Sequence, residues 1–489
     1  MRRILALGAA TALSACAVGP NYHRPEVVAP AAVPFATQTT ATDPAGQLPD
    51  RWWSLYNDPA LDALVAEALA HNSDLRVAAA NVDRARAVLG GERAAFLPST
   101  QVTASVQRGR TASGVGTGTG TTSGTTPTRT IDRAAFQASW EIDLFGRIRR
   151  SIEAAKADLA ATEATRDATR VTIAAATTQA YLDVCLTAAR VDVANQSVAL
   201  IGQSYDITRQ QVELGAASDY ELSRVGVLAE QTRAQAAQLE GARRSALADL
   251  AVLLGRPAGQ PPAEAVACRT GPRLSRIIPT GDGAAMLARR PDIRSAERSL
   301  AADTARIGIA TADLFPTISI GGSVAVGGTS VGNAVSRSGT TFGVGPLLSW
   351  FFPNIAAARA NMLAAGAEQR ASLARFDGAV QTALGEVERA LAAYDAEIKR
   401  NAALTAAVTN SMRAYDLSGV RLRYGSISQL EQIDVQRDLI ASQASLAESN
   451  ATLADAQVAL FRALGGGWQE APAIDPRPTL ITGNGRRAN

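Results

Sequence analysis

Residues 74–106, DLRVAAANVDRARAVLGGERAAFLPSTQVTASV, return in altered form as residues 292–324, DIRSAERSLAADTARIGIATADLFPTISIGGSV. Asp74 corresponds to Asp292, Pro98 to Pro316 and Val106 to Val324, each pair 218 positions apart. Further along the spacing becomes 210, with Trp140 matching Trp350, Gly215 matching Gly425 and Gly255 matching Gly465. The chain is written twice along its length, and that repeat governs how every other segment is parsed. The change of spacing falls between Val106 and Trp140, where the first half carries RGRTASGVGTGTGTTSGTTPTRT. This Gly/Thr/Ser stretch has no apolar periodicity and is expected to be a polar loop at a hairpin tip.

Each half has the same order: helix, strand, loop, strand, very long helix, tight turn, second long helix. The first half is expected to form a helix over about 60–95, ended before Pro98, and a strand over 99–108 in which Val102, Ala104 and Val106 alternate with Gln101, Thr103 and Ser105. Residues 136–144, FQASWEIDL, alternate in the same way and place Gln137, Ser139, Glu141 and Asp143 on one polar face. In the second half Ile318, Ile320, Val324 and Val326 alternate with Thr317, Ser319 and Ser323, and TTFGVGPLLSWFF returns. Four strands of about ten residues match the length of a tilted membrane-crossing strand. Phe96, Phe136, Trp140, Phe145, Phe315, Phe342, Trp350, Phe351 and Phe352 gather near their ends, as in an interfacial aromatic belt. From Gly146 to about Leu214, and again over about 355–424, no proline interrupts a helical pattern roughly 100 Å long at 1.5 Å per residue. Shorter partners are expected over 219–254 and 429–464, alanine-rich enough for close side-by-side packing.

A length of 489 residues would by itself suggest about three domains, but the duplication overrides that prior. Net charge is only +3 with both signs interspersed, which argues against a nucleic-acid partner. Enzymatic chemistry has little to work with. GTSVG at 328–332 fits a nucleophile-elbow pattern formally, yet the only histidines, His23 and His71, lie upstream of it. There is no phosphate-binding loop, and two histidines suggest no metal centre. No stretch after the N-terminus reads as long and apolar enough for a transmembrane helix. The start, MRRILALGAATALSAC, pairs a basic n-region with an apolar run too short to span a bilayer. LSAC resembles the bacterial lipobox, which implies that Cys16 is lipidated and that residues 1–15 are removed as a signal peptide. No other cofactor is expected. The remaining cysteines, Cys185 and Cys268, form no CxxC motif and are expected to be buried free thiols, a disulfide between them being the alternative.

CAVGPNYHRP after the lipobox, DRWWSLYNDPALDALVAEAL at 50–69, SWEIDLFGRIRRSIEAA at 139–155, the paired Leu-Gly endings at 254–255 and 464–465, and the duplication together resemble the TolC-like outer-membrane efflux proteins. The likeness is to the lipoprotein (NodT-type) branch that serves RND efflux systems, and it covers nearly all of the mature chain. It implies a mixed α and β fold: a trimeric outer-membrane β-barrel with four strands per protomer, continuing into a long periplasmic α-helical barrel. On that basis 16–58 is a lipidated extended segment, 59–255 the first structural repeat, 256–282 an equatorial linker, 283–465 the second repeat, and 466–489 a disordered or equatorial tail. Gln137, Ser139, Glu141 and Asp143 would face the barrel lumen. Leu430 would form a periplasmic constriction, Asp434 an acidic ring, and Arg421 a basic latch with Glu221 as its partner. The alternative for each is an ordinary solvated charge near a helix end. The implied function is an exit duct for small molecules, partnered by a homotrimer, a periplasmic adaptor, an RND-type inner-membrane pump and outer-membrane lipid. A type I protein-secretion duct, or less readily a periplasmic adaptor lipoprotein, is the other reading.

Overall fold

The computed structural model describes residues 17–25, 35–37, 39, 41–109, 128–274, 277–328, 339–353 and 355–474. Cys16, the signal region and most of the Gly/Thr/Ser loop lie outside these. In chain order the elements are α1 (Pro59–His71), α2 (Ser73–Ala94), β1 (Ser99–Gly109), β2 (Arg129–Ile142), α3 (Arg147–Glu213), α4 (Asp219–Leu253), α5 (Ala263–Ala267), α6 (Gly283–Arg289), α7 (Pro291–Ala312), β3 (Thr317–Gly328), β4 (Thr340–Ser349), α8 (Ala356–Arg423) and α9 (Gln429–Leu464). The described residues fall into two compact units that cut across the sequence repeats. One lies within 1–24, 83–161 and 296–375, the other within 25–82, 162–295 and 376–489.

The first unit is built on one antiparallel sheet in the order β1-β2-β3-β4. Ser99 lies opposite Ser139 in the first hairpin and Thr317 opposite Ser349 in the second, which are equivalent positions of the two repeats. Side chains alternate between faces, and the register lines up like with like. Val102, Phe136, Val324 and Phe342 form one cross-strand row, and Gln101, Gln137, Ser323 and Gly343 form the next row on the opposite face. The apolar face is uncovered: Val102 is 75% exposed, Phe342 83% and Val344 81%. Among the described residues no strand pairs with the outer edge of β1 or of β4.

The base of the sheet repeats itself too. Trp140 donates its indole N–H to the Phe96 carbonyl at 2.9 Å, and Trp350 donates to the equivalent Leu314 carbonyl at 3.2 Å. Both carbonyls lie just past a helix end, where the backbone lacks intrahelical partners. Phe145 stacks on Phe315 at 4.6 Å and Trp350 on Phe352 at 4.6 Å.

In the second unit the WW motif supplies the core. Trp52, fully buried, stacks on Phe461 of α9 at 4.5 Å. Asp58 caps α1, its Oδ1 accepting from Ala60 N at 2.9 Å, with Pro59 preset for the first turn. The single helix expected over 60–95 is two, because Asn72 interrupts it. Its Oδ1 accepts from Asp74 N at 2.9 Å to start α2, while its Nδ2 donates to the Leu253 carbonyl at 2.9 Å. Arg290 stands at the equivalent break and donates to the equivalent carbonyl, Ala463 O, at 2.8 Å. It also binds Asp292 and Glu386. The described part of the tail is ordered by Asp50, whose Oδ1 accepts from Gly467 N and Trp468 N and whose Oδ2 accepts from Glu470 N.

Two expectations are corrected here. Contrary to the absence expected, α3 holds a stretch apolar enough by length and composition to cross a membrane. Only 39% of that stretch is buried within the fold. The cysteines are not free thiols either: Cys185, buried in α3, is disulfide-bonded to Cys268, just past α5, closing a separation of 83 residues. Spacing alone could not bring them together; the fold does. Such a cross-link restricts the unfolded chain by about 2–4 kcal/mol. The Cys185→Ser/Cys268→Ser variant, and wild type with reductant, are both expected to melt at lower temperature by the same amount in a circular-dichroism scan.

Candidate functional site

Two surfaces carry the polar side chains the sequence singles out. The first is the polar face of the sheet. Gln137 and Ser139 are exposed there, and Glu141 on the same face accepts both Arg147 Nε at 3.1 Å and Nη2 at 2.6 Å. Asp143 is not part of this face. β2 ends at Ile142, and the Asp143 carboxylate turns to the start of α3, accepting from Ile148 N and Arg149 N at 3.0 Å each and from Arg149 Nε at 3.1 Å. The unpaired amides of a helix N-terminus and the adjacent guanidinium outcompete strand alternation at that position.

The second surface is formed by the two inter-helix turns. Gly215 and Gly425, with φ of 71° and 69°, end α3 and α8 in the left-handed conformation, so each helix reverses within a few residues. Beneath them Ile201, Val225, Ala229 and Ile433 pack as a small apolar cluster. Leu430 is half-buried, and Asp434 is exposed. Gln432 is buried, with no hydrogen-bond partner for its Oε1 within the chain.

Within one chain Arg421 and Glu221, the expected latch, are each engaged elsewhere. Glu221 closes a capping box on α4: Ser218 Oγ accepts from Glu221 N at 3.3 Å, while Glu221 Oε2 accepts from Ser218 N at 2.7 Å and Ser218 Oγ at 3.0 Å. Those backbone and hydroxyl donors hold the Glu221 carboxyl below its ordinary pKa. Arg421 instead lies 4.0 Å from Glu431, and Asp434 is paired with Arg224 at 3.5 Å, joining the starts of α4 and α9. Arg224 and Glu431 escaped the sequence reading. Arg224 was discoverable, since it stands 210 residues before Asp434, at the equivalent repeat position with the opposite charge. Both pairs are half-exposed, so each contributes only about 0.2–1 kcal/mol.

Among the described residues no group of three or more His, Cys, Asp or Glu side chains could hold a metal ion. One carboxylate pair departs from ordinary titration. Gln179 of α3 donates its single amide nitrogen to Asp183 at 3.2 Å and to Asp455 of α9. Burial, then the charge of Asp455, pushes Asp183 up to about 6, and burial raises Asp455 as well. A carboxyl raised in the folded state binds its proton more tightly there than when unfolded, so stability falls as pH climbs from about 4 to about 6. Asp183→Asn is expected to raise the melting temperature at pH 7.5 and to flatten that dependence, as read by melting scans between pH 4 and 8.

A family model described as outer membrane efflux protein matches residues 64–256 and 284–466. The chain is 30% identical over 460 residues to a probable efflux pump outer membrane protein, TtgC of Pseudomonas putida, covering 94% of each chain. It is 29% identical over 456 residues to Nodulation protein T of Rhizobium leguminosarum bv. trifolii, covering 93% of this chain and 95% of that one. Among solved structures the outer-membrane channel OprN superposes with a TM-score of 0.82 at 30% identity, over 93% of this chain and 100% of that one.

Proposed function

The chain belongs to the outer membrane efflux protein family, and from that premise we propose that it is the outer-membrane exit duct of a tripartite efflux system. It conducts small molecules passively from an inner-membrane pump and a periplasmic adaptor to the exterior. The observation that carries this reading is the sheet: among the described residues it has four strands, one apolar and uncovered face, one polar face, and two open edges. Lipid suits the apolar face, but open strand edges are not tolerated in hydrocarbon. The smallest membrane barrels need about eight strands, so one chain cannot close and three copies joined edge to edge supply twelve. Gln137, Ser139 and Glu141 then line the water-filled bore, and the long helices continue it into the periplasm. Acyl chains on Cys16 anchor the complex to the membrane beside the barrel.

Conduction needs no covalent chemistry, only a bore and a constriction. Leu430 and Asp434 form that constriction at the periplasmic end, held by the Arg224–Asp434 and Arg421–Glu431 pairs. Repeated three times, pairs of about 0.2–1 kcal/mol each hold a closed state weakly enough for a docking adaptor to reverse.

The test is oligomer and conductance together. Protein extracted from outer membranes is expected to run as a heat-resistant trimer and to form channels in planar bilayers; a monomer without conductance overturns the reading. Asp434→Ala and Arg224→Ala are each expected to raise single-channel conductance, and the double variant to add little to either. Conductance unchanged in both single variants removes this pair from the constriction.

A further inference from the structure

The residues directly after Cys16 are held far more tightly than a flexible leash requires. Val18 donates its amide to the Phe145 carbonyl at 3.1 Å, at the junction between β2 and α3. Arg150, in the first turn of α3 and only 3% exposed, then gathers three oxygens of the segment. Its Nε donates to Val18 O at 3.2 Å, and its Nη2 donates to Gly19 O at 3.2 Å and Asn21 Oδ1 at 2.9 Å. Nη1 is steadied by Glu153 at 2.8 Å. A guanidinium presents five donors in a fixed fork, and here it divides them between two backbone carbonyls, the Asn21 amide oxygen and the Glu153 carboxylate.

The backbone approach is close as well. A Cβ on Gly146, a left-handed residue, would fall 2.7 Å from Ala17 Cα, and one on Gly19 would fall 2.5 Å from Gly308 Cα. Beyond the clasp, Tyr22 donates to Glu297 of α7 at 3.1 Å, and Arg24 pairs with the same carboxylate at 3.6 Å. None of this is inherited from the duplication. The repeat equivalents of Gly146 and Arg150 are Ala356 and Ala360, and Gly90, the equivalent of Gly308, has open space where its Cβ would be. Gly146 and Arg150 come from the first repeat, Glu297 and Gly308 from the second, and neither Gly146, Arg150 nor the close approach at Gly308 recurs at the equivalent positions, so the clasp serves something that happens once per chain.

We propose that this clasp fixes the lipid-bearing end of the chain at the strand–helix junction, so that acyl anchor and sheet meet the membrane in one register, with Arg150 as the positioning residue. The proposal rests on Cys16 being acylated, as in the function proposed above. Its effect is one of effective concentration: a short, pinned connection holds the sheet at the bilayer surface, and a loose one does not.

The experiment uses full-length protein in outer membranes. Arg150→Ala is expected to speed hydrogen exchange of the 17–25 segment by on the order of tenfold, and to lower the yield of heat-resistant oligomer. A second variant inserts about eight Gly/Ser residues between Ala17 and Val18, which keeps the lipobox and Arg150 but frees the anchor from the junction. It is expected to lower oligomer yield by roughly fivefold while residues 18–25 stay protected. A purely structural role for Arg150 would leave this second variant at wild-type yield, and that result with an acylated terminus overturns the proposal alone. An N-terminal peptide mass without acyl groups overturns the anchoring reading, and the proposal with it.

Discussion

A backbone N–H or C=O without a partner costs several kcal/mol in hydrocarbon, and this chain presents two such rows, along the outer edges of β1 and β4. Water could satisfy them, but the face between them is a field of Val, Phe and Ile that water does not favour. The two demands conflict for a lone chain. They are reconciled when the edges of neighbouring copies pair, which satisfies the backbone and leaves the apolar face to lipid. The tryptophans at the base suit the same setting, with apolar rings outward and the N–H groups already bonded to Phe96 and Leu314 carbonyls.

Duplication is the economical route to that geometry, and its trace is finer than sequence identity suggests. Equivalent residues meet equivalent partners: Ser99 with Ser139 and Thr317 with Ser349, Trp140 and Trp350 each on a carbonyl past a helix end, Asn72 and Arg290 each on the final turn of a returning helix. Asn and Arg share little chemistry beyond a donor at the right reach. The contact recurs although the residue differs.

The two constant spacings, the period-2 strands and the proline-free helices were legible because each is a pattern summed over many residues. What escaped depends on single side chains. The break at Asn72 is a competition between its amide and the helix backbone that no window average registers. Asp143 continues the strand's alternation on paper, and the unpaired amides of α3 with the Arg149 guanidinium draw it away. The disulfide joins a helix to a loop 83 residues distant, and spacing carries no information about that meeting. Glu221 is different: Ser218 three residues before it is the signature of a capping box, so its engagement was readable.

Arg224 and Asp434 descend from one ancestral position, and their opposite charges bind the halves of the chain to each other. A shortened gene encoding either half alone, six copies to a ring, would set like charges side by side at that level, arginines in one case and aspartates in the other. Each half thereby acts as the counterion of its twin, and a half-length subunit would exchange that attraction for a ring of like charges, a penalty of the same small order, about 0.2–1 kcal/mol per pair.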